Sequence, residues 1–137
     1  MLFNAALFAI AVSANLLKNG DFEDHSAQYC KESWCILTDE KAIAPWKVCH
    51  GTQFEVDHSP WPNQSGQWSM DLSANTPYGI EQEVHLVPGE KYVLSFYLNA
   101  NYLCDPKEKT GYVSATGVAP LNFKYNHDTA KGAWTEI

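Results

Sequence analysis

The chain has 137 residues, 45% of them hydrophobic and 13% aromatic, with 16 acidic against nine basic side chains and a formal net charge of −7. That excess of carboxylates argues against nucleic acid and anionic membrane as partners, since both need a basic patch. The length fits one domain with a short leader.

The leader is Met1–Ala14, MLFNAALFAIAVSA. It is an apolar run ending in small residues, with Val12 and Ala14 where signal peptidase reads its substrate, although no Lys or Arg stands near its start. A buried first strand or helix is the rival reading. The run is too short to span a bilayer, which needs about 20 apolar residues. The expectation is a signal peptide over 1–14 and a secreted, soluble domain over 15–137.

The next stretch, "NLLKNGDFE" from Asn15 to Glu23, reads as the first strand. Four cysteines follow, Cys30, Cys35, Cys49 and Cys104. In a secreted chain an even count points to two disulfides, for which three connectivities exist. Cys30–Cys35 closing a local loop and Cys49–Cys104 tying distant strands is the favoured pairing. Zinc is the weaker reading, because no two cysteines stand at the C-x-x-C spacing of common zinc sites. Asn63-Gln64-Ser65 forms an N-glycosylation sequon in the turn-rich "SPWPNQSGQ".

Alternation bounded by Gly, Pro and Asn then marks short strands. "GTQFEVD" is one, Gly51 to Asp57. "QWSMDLS" sets Trp68, Met70 and Leu72 on one face and Ser69 and Asp71 on the other. "GIEQEVHLVPGE" sets Ile80, Val84 and Leu86 inward, with Glu81, Glu83 and His85 outward, and turns at Pro88-Gly89. "KYVLSFYLNANY" is the longest. Tyr92, Leu94, Phe96, Leu98 and Ala100 share its apolar face, while Val93, Ser95, Tyr97, Asn99 and Asn101 share the face that meets solvent or ligand. "GYVSATG" and "LNFKYN" are two more strands joined by "VAP", and "KGAWTEI" starts a last one. A chain stopping there leaves a sheet edge unpaired, a known liability, so a fragment of a longer protein is one expectation. Six or more strands between turns indicate an all-β fold, a β-sandwich or jelly roll.

"NLLKNGDFE", "APWKVCHGTQFEVD" and "GQWSMDLSANTPYGIEQEVHLVPGEKYVLSFYLNAN", in that order, resemble the secreted domain-of-unknown-function 642 proteins of plant cell walls and their bacterial anchored relatives. The resemblance runs from about Asn15 to Trp134 and implies a galactose-binding-like jelly roll. The opening and the first Trp are also similar to carbohydrate-binding modules of the fourth, ninth and twenty-second families. The likeness implies core roles for Phe22 and Trp46. It also implies a structural calcium held by Glu23, Glu55 and the carbonyl of Asp21, an oxygen set that suits this hard cation. A further Asp in the final strand of those modules has no counterpart here, and the closing strands are missing. Ordinary solvated strand-end carboxylates are the other reading of Glu23 and Glu55.

Sugars present apolar C–H faces and rings of hydroxyls, so their sites combine aromatic platforms with amide or carboxylate groups. Tyr97, Asn99 and Asn101 supply this on the long strand, with Ser69 and Asp71 on a neighbour and Trp34, Trp61, Tyr78 and Tyr102 as loop aromatics. Trp46, Trp68 and Trp134 read as packing. The five histidines, His25, His50, His58, His85 and His127, are scattered, with no H-E-x-x-H and no G-x-S-x-G. Asp57 with Asp71 or Glu81 is the carboxylate pair an enzyme reading would use. The expectation is therefore non-catalytic binding of carbohydrate or cell-wall polysaccharide by an extracellular domain. A structural or adhesive protein that binds wall proteins is the alternative, and a glycan-processing enzyme comes third.

Overall fold

Apolar and polar side chains alternate over Phe54–Asp57, and that short stretch organises the N-terminal half. Phe54 and Val56 are fully buried, while Glu55 and Asp57 on the opposite side are half-buried. The computed structural model describes residues 15–25, 32–58, 63–100, 106–130 and 133–137. Among these the protein is all-β, built of antiparallel strand pairs with one four-residue helix and one 3₁₀ turn. It divides into two compact units, Met1–Val87 and Pro88–Ile137.

In the first unit, β1 (Trp34–Leu37), β3 (Phe54–Asp57) and β4 (Ser69–Met70) form one sheet in the order β1-β3-β4. A separate pair joins β2 (Lys47–His50) to β5 (Gly79–Glu81), with an irregularity between Val48 and His50. Leu37, Ala42, Ile43, Phe54, Val56 and Tyr78 make the core. Cys35, Trp46, Val48, Trp68, Met70, Ala74 and Ile80 pack on it. A 3₁₀ turn, Glu40–Ile43, drives Ala42 and Ile43 into that core and is capped by Asp39, whose Oδ1 accepts from Lys41 N at 2.9 Å. At Gly51 the chain takes φ +93°, and a side chain there would collide with Tyr78 Cβ, so glycine is needed on both counts.

The second unit holds two strand pairs. β6 (Tyr97–Leu98) pairs with β9 (Thr135–Glu136), and β7 (Glu108–Val113) pairs along its whole length with β8 (Leu121–Asn126), before α1 (His127–Ala130). Tyr125 is its buried centre, and Phe96 meets Phe123 edge-on at 5.4 Å.

Several expectations are corrected. Asn15–Glu23 is not a strand. Its asparagines capture the backbone instead: Asn15 Oδ1 accepts from Leu17 N, and Asn19 bonds Asp24 through both amide ends. Such local bonds compete with a strand ladder, and Asn19 and Phe22 take positive φ. Trp34, expected in a loop, opens β1. Of the long strand expected over 91–102, the described residues 91–100 hold only Tyr97–Leu98. Tyr92 and Leu94, expected inward, are exposed, as is Val93 at 94%. Leu72 and Leu86 also face solvent. Cys49 carries a free, exposed thiol, which removes the expected Cys49–Cys104 link, whereas Cys35 is disulfide-bonded. Cys30 and Cys104 lie outside the described residues.

Candidate functional site

Residues directly opposed in an antiparallel ladder project to the same side of the sheet. Trp34 is opposite Asp57, Ile36 opposite Glu55, and Ser69 opposite Asp57; Asp71 N donates to Glu55 O at 3.1 Å, which continues the ladder by one step. The side of the sheet away from Phe54 and Val56 therefore carries Trp34, Glu55, Asp57, Ser69 and Asp71. The indole of Trp34 is 48% exposed there.

Glu55, Asp57 and Asp71 each bring a carboxylate oxygen to within 4.8 Å of the others. The consequences differ among the three. Asp71 is held by a tight turn, its Oδ1 accepting from Ser73 N at 2.7 Å, Ser73 Oγ at 2.9 Å and Ala74 N at 3.0 Å. Asp57 has no such support: its Oδ1 is buried with no hydrogen-bond partner among the described residues. Burial, then the charges of Asp71 and Glu55, push the Asp57 carboxyl up to about 7. Glu55 moves upward too, through burial and then Asp71. Tyr78 lies behind this cluster, 7% exposed, its hydroxyl accepting from Glu55 N at 2.9 Å and lying 3.3 Å from Glu55 O. It is a core residue that braces β3, which corrects the expected ligand role.

Of the expected calcium ligands, Glu23 and Glu55 make different contacts. Glu23 spends its Oε1 on the amides of Gln67 at 2.6 Å and Trp68 at 2.8 Å, so it pins the N-terminal segment to the approach to β4. The structure groups Glu55 with Asp57 and Asp71 instead, and Asp21 is exposed. Three carboxylates with one buried, unpartnered oxygen fit the oxygen chemistry of a hard cation.

Tyr97 is exposed on β6, but its hydroxyl donates to Glu136 Oε2 at 3.2 Å, and the negative charge of Glu136 raises its pKa. Asn99 is half-buried. Its Oδ1 accepts from Ala100 N at 2.7 Å and lies 3.1 Å from the hydroxyl of Tyr125. Its amide oxygen thus serves the interior of the second unit, which corrects the outward role expected of it. Asn101, Tyr102 and Trp61 lie outside the described residues. The sequon Asn63 is half-buried and donates from Nδ2 to Gln67 O at 2.5 Å.

The family model described as "Protein of unknown function (DUF642)" matches residues 15–136. The chain belongs to the DUF642 family. It is also 33% identical over 143 residues to halomucin from Haloquadratum walsbyi (strain DSM 16790 / HBSQ001), a match that covers 98% of this chain and 2% of that protein. No solved structure matches the chain.

In this DUF642 protein Trp34 and Asp57 escaped the sequence reading as partners because they are far apart along the chain and meet only through the β1–β3 register. The Phe54–Asp57 alternation was the one signal that Glu55 and Asp57 share a side. A second missed feature surrounds Trp68. His25 and His58 meet its indole edge-on at 4.3 Å and 4.4 Å. Burial lowers the pKa of His25 against the opposing pull of Glu23 and Asp24. Among the described residues no helix is long and apolar enough to cross a membrane.

Proposed function

We propose that this DUF642 protein is a secreted, non-catalytic domain that binds carbohydrate, as cell-wall or surface polysaccharide, through the exposed side of the β1–β3–β4 sheet. The observation that carries the reading is the placement of the exposed indole of Trp34 beside Asp57, with Glu55, Ser69 and Asp71 on the same side. An indole stacks on the C–H face of a pyranose, and carboxylates and a hydroxyl accept from its hydroxyls. The fold would be the galactose-binding-like jelly roll, akin to the carbohydrate-binding modules of the fourth, ninth and twenty-second families. The antiparallel, nearly helix-free architecture supports that assignment. Secretion draws support from the apolar leader and from the disulfide at Cys35, which belongs to an oxidising compartment. Calcium, if bound, would sit on Glu55, Asp57 and Asp71, where it would neutralise the crowded carboxylates and stiffen the sheet.

A second reading is glycan hydrolysis, favoured by one observation: burial and two neighbouring carboxylates push the Asp57 carboxyl up to about 7, a direction that suits a general acid. Against it, all three carboxylates rise from one side of one sheet, whereas hydrolysis needs two groups flanking the scissile bond. Binding of soluble neutral polysaccharides, followed by affinity electrophoresis alongside an assay for released reducing ends, tests both. Retardation without new reducing ends, lost in Trp34→Ala, is expected. Release of reducing ends that stops in Asp57→Asn would establish hydrolysis, and capture of wall proteins without any glycan would establish the adhesive alternative.

A further inference from the structure

We infer that the first unit carries a separate subsite for an acidic sugar residue, a uronate, in the cavity formed by Lys41, Ala44, Pro45, Trp46 and Lys47. The cavity measures about 240 Å³, below the roughly 300–1,000 Å³ of sites for drug-sized ligands. That size suits a single ring or a chain end.

The local sequence, Asp39 to Lys47, explains why the site exists. The Asp39-capped turn buries Ala42 and Ile43, which leaves Lys41 between them and the cap on the exposed side. Trp46 N donates back to Ile43 O at 3.2 Å, so the chain folds over the turn and returns Trp46 beside it. The indole is then fixed from one edge, its Nε1 donating to Asn19 O at 2.7 Å, while Phe22 packs against it at 5.7 Å. Trp46 lines the cavity. Lys47 follows as the first residue of β2.

The charge pattern supplies the ligand class. The chain has nine basic side chains, all lysine, against 16 acidic ones, yet two of the five residues lining this cavity are lysines. Neither forms an ion pair among the described residues; Lys124 does so, with Glu108. The neighbouring acids are Asp39, whose Oδ1 accepts from the turn amide, and Glu81, opposite Lys47 across the β2–β5 ladder. A uronate ring answers both features at once. Its C–H face stacks on the indole, and its carboxylate accepts from the two ammonium groups.

The test uses the whole secreted chain in EDTA, so that calcium bridging plays no part. Isothermal titration and ¹⁵N–¹H spectra would follow two probes, an unbranched oligogalacturonate of three to five units and a neutral oligogalactan of equal length. Lys41→Gln/Lys47→Gln serves as the variant because both side chains are exposed and the fold does not depend on them. The expected result is oligogalacturonate binding at least about fivefold tighter than oligogalactan, with shifts at Lys41, Lys47 and the Trp46 indole, weakened about fivefold or more in the double variant and in 0.5 M salt, as expected for charge-assisted contacts. Equal affinity for the two oligomers, undiminished binding in the double variant, or no oligogalacturonate binding would each overturn the subsite. Trp34→Ala separates this result from the sheet-face reading: it removes neutral-polysaccharide binding there and leaves the uronate response unchanged.

Discussion

Trp34 and Asp57 face each other across the β1–β3 ladder, an exposed indole beside a carboxyl whose Oδ1 finds no donor among the described residues. Nothing in the core requires that pairing, because the packing residues of both strands lie on the other side. Replacing Trp34 by Ala therefore removes exposed ring surface and little packing, and stability should change by no more than about 0.5 kcal/mol, as at other surface positions. Polysaccharide binding should fall about five- to thirtyfold, roughly what a lost aromatic platform of 1–2 kcal/mol is worth. Thermal unfolding beside a binding isotherm checks both halves; unaltered binding with an intact fold would remove Trp34 from the site.

The same carboxyl sets a pH dependence. Asp57 is held well above its ordinary value, up to about 7, so the folded chain keeps a proton that the unfolded chain releases near pH 4. The folded state then binds more protons between about pH 4 and 7, and its stability declines as pH rises through that window. His25 acts in the opposite sense. Its pKa is lowered, so its contribution is lost as pH falls below the ordinary histidine range. The difference between wild type and Asp57→Asn isolates the first contribution. The variant should be the more stable by about 1–2 kcal/mol at pH 7.5, after discounting for partial solvation, and the gap should close near pH 4.5. A gap that stays constant with pH would show that Asp57 titrates normally.

How far the sequence reveals this arrangement depends on the range of the interaction. Period-two alternation within a segment was legible: the alternating GTQFEVD holds the strand Phe54–Asp57, and Trp68 and Met70 pack on the core as expected, although Leu72, expected beside them, faces solvent. LNFKYN, Leu121–Asn126, is a strand over its whole length. Partner choice was not legible. Nothing local says that Asp57 lies between Trp34 and Ser69, because register arises from packing between distant segments. Local polar chemistry misled as well, since Asn15 and Asn19 turn a strand-like pattern into bends. Tyr78 looked like a loop aromatic until its hydroxyl was seen bracing the Glu55 backbone.

Calcium provides a third prediction. A cation bound to Glu55, Asp57 and Asp71 stabilises the folded state by an amount that grows with its concentration, about 2.7 kcal/mol at one hundred times the dissociation constant. Millimolar calcium at pH 7.5 should then raise the melting temperature by several degrees, magnesium less, and Asp57→Asn or Asp71→Asn should abolish the gain. Glu23→Gln should leave the calcium response intact, because Glu23 is occupied with the Gln67 and Trp68 amides. A calcium response lost only in Glu23→Gln would return the cation to the N-terminal segment.

Glu23 has its own test. One carboxylate oxygen accepts two backbone amides, at 2.6 Å and 2.8 Å, and bonds to a charged acceptor are stronger than neutral ones. The contact also explains Gly66, which takes φ +65° and where any side chain would run into the Glu23 carboxylate. Glu23→Ala should cost about 1–3 kcal/mol, and Gly66→Ala should be destabilising through both backbone strain and the collision. If the contact is what limits position 66, the double variant loses less than the sum of the two single changes, as neighbouring sites do. Additive losses in a double-mutant cycle would mean that the glycine is needed for its backbone alone.

Cysteine chemistry gives the last prediction. Cys49 stands on β2 with an exposed thiol, while Cys35 is already disulfide-bonded. A maleimide added to the native protein should therefore label Cys49 without denaturant, and peptide mapping should find the adduct there and none at Cys35. Cys49→Ser should change stability by no more than about 0.5 kcal/mol, as surface substitutions do. A long-range bridge from Cys49 would behave otherwise, since loss of a native disulfide from a small secreted domain costs about 2–5 kcal/mol. Protection of Cys49 from the reagent, together with a loss of that size in Cys49→Ser, would restore the link to Cys104.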